Sequence, residues 1–465
     1  MAILCTDFGS TFTKLTAIDP ASGQIIAFAR AFTTIDTDIM DGFSQALADI
    51  KAQCGLNTFD QKFAASSAAG GLKMMASGLV PDLTAKAARL AAASAGAKVL
   101  NTYAYELTPA DVAEIETIAP DIILLCGGID GGNTEVLLKN ANTLAHTCGH
   151  FQVIIAGNRS AADQALTVLT ALGKPAVVCD NVMPQFGKLN IAPAKAAIRD
   201  IFIKSIIAAK GLDKAQAFMD ASIIPTPLAV LNGARLLSQG VTDAAGEIPG
   251  MGELMLFDIG GATTDVYSIA SGLPHNPHVY LQGLQEPFDK RTVEGDIGMR
   301  YSLAAMVDTL LKENPYPQFA HGVTLEAVQT WAAMCQASPG ILPTGEYESY
   351  RPVDLALAKE AIRLAAARHV GTTETTYTPA GETIIQTGKD LTQVKTVIGT
   401  GGALIGATAW EDILSAATYH PGDLNLLKPL APKLLLDHQY AFSALGLLGD
   451  HHPRLAFTMM QSLIT

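Results

Sequence analysis

The chain is short of cysteine, of charge and of basic residues, and each shortage narrows its function. Six cysteines are spread through 465 residues, at Cys5, Cys54, Cys126, Cys148, Cys179 and Cys335. None forms a Cys-x-x-Cys pair or a zinc-type spacing, so they are expected to be reduced, mostly buried, small apolar groups. Charged residues make up 16 %, and 31 Lys and Arg stand against 44 Asp and Glu, for a formal net charge of −13. An acidic surface repels nucleic-acid phosphates and anionic lipid headgroups, so neither is an expected partner. No apolar run of membrane-spanning length lacks a polar break, and Met1 leads straight into Ile3–Leu4 without a signal-peptide pattern. The expectation is a cytoplasmic protein of the α/β class.

Apolar residues, in contrast, reach 49 %. That is ample for large cores and argues against extended disorder. The length allows roughly three domain-sized units at about 150 residues each. Residues 2 to 32 predict three strands, Ile3–Phe8, Lys14–Ile18 and Ile25–Phe32, with Asp19-Pro-Ala-Ser-Gly23 as the second turn. From about residue 60 to 210, strand candidates (Ala97–Tyr103, Asp121–Cys126, Gln152–Ala156, Ala176–Cys179) alternate with helix candidates (Thr84–Ala95, Pro109–Ile118, Thr134–Cys148, Ser160–Leu172). Thr108-Pro109 supplies an N-cap with Pro at the first helical position. Such alternation predicts an inserted doubly wound α/β subdomain with helices on both faces of a parallel sheet. A helix over 225–240, an apolar strand Leu254–Asp258 returning as Val266–Ile269, helices over Ser302–Leu311 and Asp354–His369, a strand Lys395–Ile398 and a closing helix near Tyr440–Leu448 complete the pattern.

One pattern occurs twice. Thr6-Asp-Phe-Gly-Ser-Thr-Phe-Thr-Lys14 and Phe257-Asp-Ile-Gly-Gly-Ala-Thr-Thr-Asp265 each set an Asp at the end of an apolar strand. Each follows it with one residue, a glycine and a Ser/Thr/Gly cluster before returning to a strand. Glycine lets backbone approach a phosphate closely, and successive N–H groups in such a turn cradle an anion. The Asp offers a hard oxygen for hydrated Mg²⁺. ATP is itself an anion, so a site for it on an acidic chain depends on such local donors, a metal and a few cations.

These segments and Gly399-Thr-Gly-Gly-Ala403 resemble the first phosphate, second phosphate and adenosine motifs of the actin, heat-shock chaperone and sugar kinase superfamily. The resemblance implies a two-lobed actin-like ATPase fold with ribonuclease-H-like cores and ATP held between the lobes. On that reading residues 1–59 begin lobe I, 60–210 are the insert, 211–250 return to lobe I, 251–430 form lobe II and 431–465 close the fold. The implied nucleotide contacts are Asp7, Gly9, Ser10, Thr11, Thr13 and Lys14 in the first hairpin. In the second they are Gly260, Gly261, Ala262, Thr263 and Thr264, with Gly399, Gly401 and Gly402 at the adenosine. Strand alternation favours Ser10 and Thr11, which lie in the turn itself. Lys14 matches a phosphate-contacting lysine, and Asp258 an Asp that binds Mg²⁺ or orients the attacking water. Mg²⁺ is expected at Asp7, Asp258 and Asp265, although Asp265 equally suits a strand cap. Glu294 and Asp296, with Arg291 and Arg300, form either a ribose- or water-binding cluster or a solvated salt-bridged loop.

A narrower resemblance spans nearly the whole chain. Leu125-Cys-Gly-Gly-Ile-Asp-Gly-Gly-Asn133, Asp258–Asp265 and Arg291-Thr-Val-Glu-Gly-Asp-Ile-Gly-Met-Arg300 look like the MutL-type accessory family encoded beside adenosylcobalamin-dependent glutamate mutase. It is unrelated to the mismatch-repair protein of similar name. Ile129 departs from the Thr expected there. The family role implies an ATP-driven chaperone that removes damaged cobalamin from an inactivated mutase, its protein client. The insert has the rhythm of a flavodoxin-like sheet but lacks the Asp-x-His-x-x-Gly signature of cobalamin ligation. Its Gly127–Gly132 turn suits a ligand, a partner segment or an ordinary strand–helix connection. His146 and His150 are four apart with Gly149 between them, which speaks against a metal site. The alternatives are a small-molecule kinase on the same ATP site, or an electron-donating activator, which needs a clustered cysteine pair that this chain lacks.

Overall fold

Both Asp-x-Gly turns lie at the tips of hairpins, and each hairpin opens a five-stranded sheet of the same topology. The computed structural model describes residues 2–9, 12–34, 37–67, 73–202, 212–319, 322–378 and 381–464. The chain forms two compact units. Unit 1 comprises Met1–Gly233, Gly283–Pro287 and Ser443–Met459, and unit 2 comprises Ala234–Gln282, Phe288–Phe442 and Met460–Thr465.

Unit 1 begins with an antiparallel meander, β1 (Ile3–Phe8), β2 (Phe12–Asp19) and β3 (Gln24–Phe32). Every residue of β1 is buried, as a central strand covered on both faces requires. In β3 burial alternates, with Ala27, Ala29 and Ala31 inside and Phe28, Arg30 and Phe32 outside, as in a half-covered edge strand. Helix α1 (Ile39–Cys54) starts where the Asp38 carboxylate accepts the Met40 N–H and stops at Gly55 in the left-handed conformation. Its Ile39, Phe43, Ala46 and Ile50 pack with Leu4, Leu15 and Ala29 of the sheet. Strand β4 (Gln61–Ser66) then pairs in parallel with β1.

The insert comes next. It runs β5 (Lys73–Gly78), a π-turn over Pro81–Ala85, α2 (Lys86–Ser94), β6 (Lys98–Ala104), α3 (Pro109–Ile118), β7 (Ile122–Leu125) and α4 (Glu135–Ala145). It continues with β8 (Gln152–Ile155), α5 (Arg159–Ala171), β9 (Ala176–Val178) and α6 (Ala192–Ile201). All five strands are parallel, in the order β6-β5-β7-β8-β9. That is the 2-1-3-4-5 order of a doubly wound sheet. Alternate residues feed two cores. Met74, Ala76, Ile122, Leu124 and Ile154 point one way, and Met75, Ile123, Leu125, Val153 and Ile155 the other. Thr108 and Asp111 close the expected cap of α3 as a reciprocal box. Because β4 belongs to the first sheet, the parallel sheet begins at Lys73. The chain rejoins the first sheet through α7 (Leu212–Phe218) and β10 (Ile224–Pro225), which pairs with β4, and leaves as α8 (Thr226–Gln239).

Unit 2 takes in the end of α8 and then a small hairpin, β11 (Gly240–Asp243) and β12 (Gly246–Pro249). Strands β13 (Leu254–Ile259), β14 (Thr264–Ile269), β15 (Val279–Gln282) and β16 (Asp289–Glu294) come after it. Next are α9 (Leu303–Glu313), α10 (Leu325–Ala337), α11 (Arg351–His369), β17 (Thr372–Thr378), β18 (Gly381–Thr387) and β19 (Thr396–Thr400). The chain ends with α12 (Gly402–Ile405), α13 (Trp410–Leu414), β20 (Lys433–Leu436), α14 (Phe442–Gly449) and α15 (Pro453–Leu463). The main sheet is ordered β16-β14-β13-β19-β20, antiparallel on one side of β13 and parallel on the other. The first sheet, β3-β2-β1-β4-β10, has the same plan. Two such sheets are the ribonuclease-H-like cores of the actin-like fold, and the parallel sheet is the inserted α/β subdomain. No helix among the described residues is long and apolar enough to cross a membrane. Cys5, Cys126 and Cys335 are buried and Cys148 is exposed, all as free thiols.

Candidate nucleotide site

Asp7, the penultimate residue of β1, lies directly opposite Lys14 of β2, so both side chains stand on one face of the first hairpin. Gly9 closes the turn by donating its N–H to Asp7 O at 3.0 Å and Phe12 O at 3.1 Å. A Cβ on Gly9 would lie 2.6 Å from Phe12 O, so the position requires glycine. Asp7 is buried, and its Oδ1 accepts the Thr226 hydroxyl at 2.6 Å, from the first residue of α8. Ser443 approaches its other oxygen at 3.5 Å. Thr13 is buried on the opposite face from Lys14. Its hydroxyl lies 3.1 Å from that of Thr33, which donates to Gly9 O at 2.8 Å, so Thr13 braces the turn from behind. Ser10 and Thr11 lie outside the described residues.

The second hairpin repeats the turn with a different charge pattern. Gly260 donates to Thr263 O at 2.9 Å, and a Cβ on it would meet that oxygen at the same distance. Asp258 faces Asp265 across the strands, where the first hairpin has Asp and Lys. The Arg291 guanidinium resolves the clash of two carboxylates. Its Nε donates to Asp265 Oδ1 at 2.8 Å, and Nη2 lies 2.6 Å from the same oxygen. Burial is the largest single influence and opposes the charge on Arg291, but Asp265 and Tyr267 together outweigh it and leave the Arg291 pKa raised. Asp265 therefore meets a buried cation through Oδ1. The carbonyls of the turn are bound from behind. Gly260 O accepts Met299 N–H at 3.1 Å, Gly261 O accepts Arg300 and Tyr301 N–H at 2.8 Å each, and Ala262 O accepts the Ser302 hydroxyl at 2.6 Å. Gly260, Gly261, Ala262 and Thr263 are half-exposed, while Thr264 is buried beside Glu294.

The glycine run after β19 comes to the same place. Gly401, at φ +101°, lies so close to the second hairpin that a Cβ would stand 2.4 Å from Ile259 O and 3.0 Å from Asp258 Oδ1. Gly399 is needed for a different reason, since a Cβ there would strike Leu404 at 2.7 Å, and Gly402 is exposed with open space around it. Thr400 donates to Asp437 at 3.1 Å, and Asp437 also accepts the N–H groups of Ala441 and Phe442 at 3.0 Å each. Burial raises the Asp437 pKa.

The charged run Arg291–Arg300 does not close on itself. Arg291 serves Asp265. Arg300 pairs with Asp354 at 2.7 Å, and the Trp331 indole donates to the same carboxylate at 2.9 Å. Glu294 and Asp296 share Arg368 of α11, which donates to them at 2.8 Å and 2.7 Å. The hydrogen bond from Arg368 lowers the Asp296 pKa. Sequence reading missed Thr226, Asp354 and Arg368 because their partners are distant in the chain. The Pro225-Thr-Pro227 run at a strand–helix junction is the one local signal for Thr226.

In the insert, Gly127–Asn133 lies after β7 at the carboxyl end of the sheet. Asn158 donates to the Gly132 and Asn133 carbonyls at 3.0 and 3.1 Å, and Asn181 to Gly128 O at 3.0 Å. The turn is therefore held by side-chain amides from the next two strand ends. Helix α4 ends at Ala145, so His146 and His150 share no helical face. Among the described residues no group of three or more His, Cys, Asp or Glu is arranged to hold a metal.

A family model described as MutL protein matches residues 3–464. The chain belongs to the MutL protein family. A curated relative, Protein MutL from Clostridium tetanomorphum, is 44 % identical over 465 residues, covering 100 % of this chain and 99 % of the relative. This is the family that the glycine-rich runs pointed to. Among solved structures, this MutL-family chain is similar to the activator of 2-hydroxyisocaproyl-CoA dehydratase from Clostridium difficile with bound ADPNP. Identity there is 8 % and the TM-score 0.30, covering 99 % of this chain and 97 % of that one. A xylulose kinase from Lactobacillus acidophilus shows 11 % identity and a TM-score of 0.34, covering 99 % and 90 %. Values this low add nothing to the fold read from the strand order.

Proposed function

We propose that this MutL-family protein is a cytoplasmic ATPase that acts as a reactivating chaperone for an adenosylcobalamin-dependent mutase of the glutamate mutase type. The observation that carries the ATP site is the approach of Gly401 to Asp258 beside the Gly260–Thr263 turn. Two sequence motifs about 140 residues apart thereby meet at one carboxylate. The residues fit a nucleotide with Mg²⁺ in one way. Turn glycines leave room where a Cβ would stand, and Asp7 and Asp258 each offer a carboxylate. Mg²⁺ commonly binds through one or two carboxylates, substrate phosphates and water, and it would neutralise phosphate charge there.

Within that reading Asp258 orients the attacking water. Lys14 and the turn amides meet the charge that develops on the γ-phosphoryl oxygens. Thr226 fixes the Asp7 carboxylate, and Arg291 removes the negative charge of Asp265 that would otherwise oppose phosphate. Glu294, bound to Arg368, shapes the end of β16 and is the weaker candidate for orienting water. For hydrolysis to drive a client, ATP must favour one conformational state over another, by about 1–3 kcal/mol in ordinary coupling.

The test is ATP hydrolysis with Mg²⁺ by wild type and Asp258→Ala, alone and with a mutase inactivated by hydroxocobalamin. Support is hydrolysis that rises with the inactive mutase, restores its activity once adenosylcobalamin is added, and disappears in Asp258→Ala. A protein that binds no ATP sinks the proposal. Turnover that answers only to a small metabolite replaces it with a kinase.

A further inference from the structure

The five residues Gly283–Pro287 group with unit 1, although Gln282 before them and Phe288 after them group with unit 2. Burial alternates along the segment, with Leu284 and Glu286 inside and Gln285 exposed. Leu284 is 1 % exposed and belongs to the core of the inserted sheet, with Ala87, Ala88 and Ala91 of α2. Glu286 Oε1 lies 3.0 Å from Nζ of Lys86, the first residue of α2, with 5 % and 17 % of the two side chains exposed. The segment is therefore held at two points, to α2 by the ion pair and to the core of the inserted sheet by Leu284.

The strand downstream gives this segment a purpose. After Phe288 the chain enters β16, which pairs with β14 from Asp289↔Ile269 to Glu294↔Thr264. Strand β14 is the one that leaves the Gly260–Thr263 turn. Six residues at about 3.3 Å each make β16 a paired strut of roughly 20 Å. Its near end is fixed within unit 2, where Lys389 Nζ and the Ala270 N–H both donate to Phe288 O, at 2.8 and 3.0 Å.

We propose that Gly283–Pro287 is a tether through which nucleotide binding at the second hairpin is communicated to the inserted subdomain, with α2 as the receiving element. The inference rests on the proposed ATP site and adds the path by which that site is coupled to the insert. A displacement of β14 on ligand binding moves β16, and a short segment anchored at both ends passes the displacement to Lys86 and the packing around Leu284.

The experiment is hydrogen exchange on the full chain with and without the non-hydrolysable analogue AMP-PNP and Mg²⁺. Protection of the second hairpin reports binding, and exchange within Lys86–Ser94 reports the tether. The wild type is expected to change α2 exchange by about fivefold or more, the lower end of ordinary allosteric coupling. A variant with Gly-Gly inserted between Pro287 and Phe288 keeps both anchors and adds slack. In it the hairpin is protected as before and α2 no longer responds. Glu286→Gln, which keeps the leucine plug, is expected to reduce the α2 response. An α2 response in the Gly-Gly variant equal to wild type overturns the tether. So does a protected wild-type hairpin with α2 unchanged. If no nucleotide protects the hairpin, the ATP reading itself falls, and the tether with it.

Discussion

Gly401 and Gly402 are neighbours with opposite demands, and they separate a steric requirement from mere glycine richness. At Gly401 a Cβ meets Ile259 O at 2.4 Å and the backbone sits at φ +101°, whereas at Gly402 nothing lies within 4 Å. A non-glycine residue held in such a conformation costs of order 1–3 kcal/mol, and here the displaced neighbour is the strand end that carries Asp258. Gly401→Ala is therefore expected to lower the melting temperature and to shrink the extra stabilisation by ADP or AMP-PNP, which scales with the logarithm of ligand concentration over Kd. Gly402→Ala is expected to leave both close to wild type. Thermal unfolding across a nucleotide titration checks the pair, and equal ligand shifts in wild type and Gly401→Ala would contradict the site. At this scale the sequence was readable where a residue's partner is its own backbone, as at Gly9 and Gly260. It was unreadable where the partner is remote, since Arg368 meets Glu294 across 74 positions and Thr226 meets Asp7 across 219.

The carboxyl end of α11 shows what one element contributes. Two successive residues grip the second sheet there, Arg368 through Glu294 and Asp296, and His369 through Ser268 and Thr292 at 2.8 Å each. His369 is fully buried. That burial, reinforced by the Lys290 and Lys389 ammonium groups, holds its pKa well below the usual 6.5. The unfolded chain takes up a proton at this position as pH falls below about 6.5, while the folded chain does not. The folded state is thus fully stabilised above that pH and loses stability below it, at up to about 1.4 kcal/mol per pH unit for one proton. His369→Asn is expected to be less stable than wild type at pH 7.5 and to lose less between pH 7 and 5.5. Urea unfolding at several pH values measures both, and parallel profiles would show that His369 is not the group titrating. Elements such as α11 were legible from their length and apolar spacing. Strand β5 was not, because Lys-Met-Met-Ala-Ser-Gly carries no β-branched residue, yet five of its six residues are buried in the interior of the inserted sheet, between β6 and β7. Burial on both faces, which local propensity does not record, makes that segment a strand.

For the whole molecule, the repeated hairpin was the most legible feature, because a duplicated core repeats its turn chemistry as well as its strand order. The two copies differ in charge: Asp7 faces Lys14, and Asp258 faces an Asp265 neutralised by Arg291. The proposed function requires that both hairpins serve one triphosphate, and energetics can test that without reference to geometry. If Asp7→Ala and Asp258→Ala each weaken binding of the same ligand and the two carboxylates act through one Mg²⁺–phosphate group, the second substitution has less to remove after the first. The double variant should then fall short of the sum of the single effects by more than the roughly 0.3–0.5 kcal/mol within which independent sites add. Isothermal titration of AMP-PNP with Mg²⁺ into wild type, both single variants and the double variant supplies the four affinities. An Asp7→Ala variant that binds the ligand as wild type does, while Asp258→Ala does not, would mean that the first hairpin takes no part in holding this nucleotide, and would leave the second hairpin, with Gly401 at its side, as the whole of the ATP site.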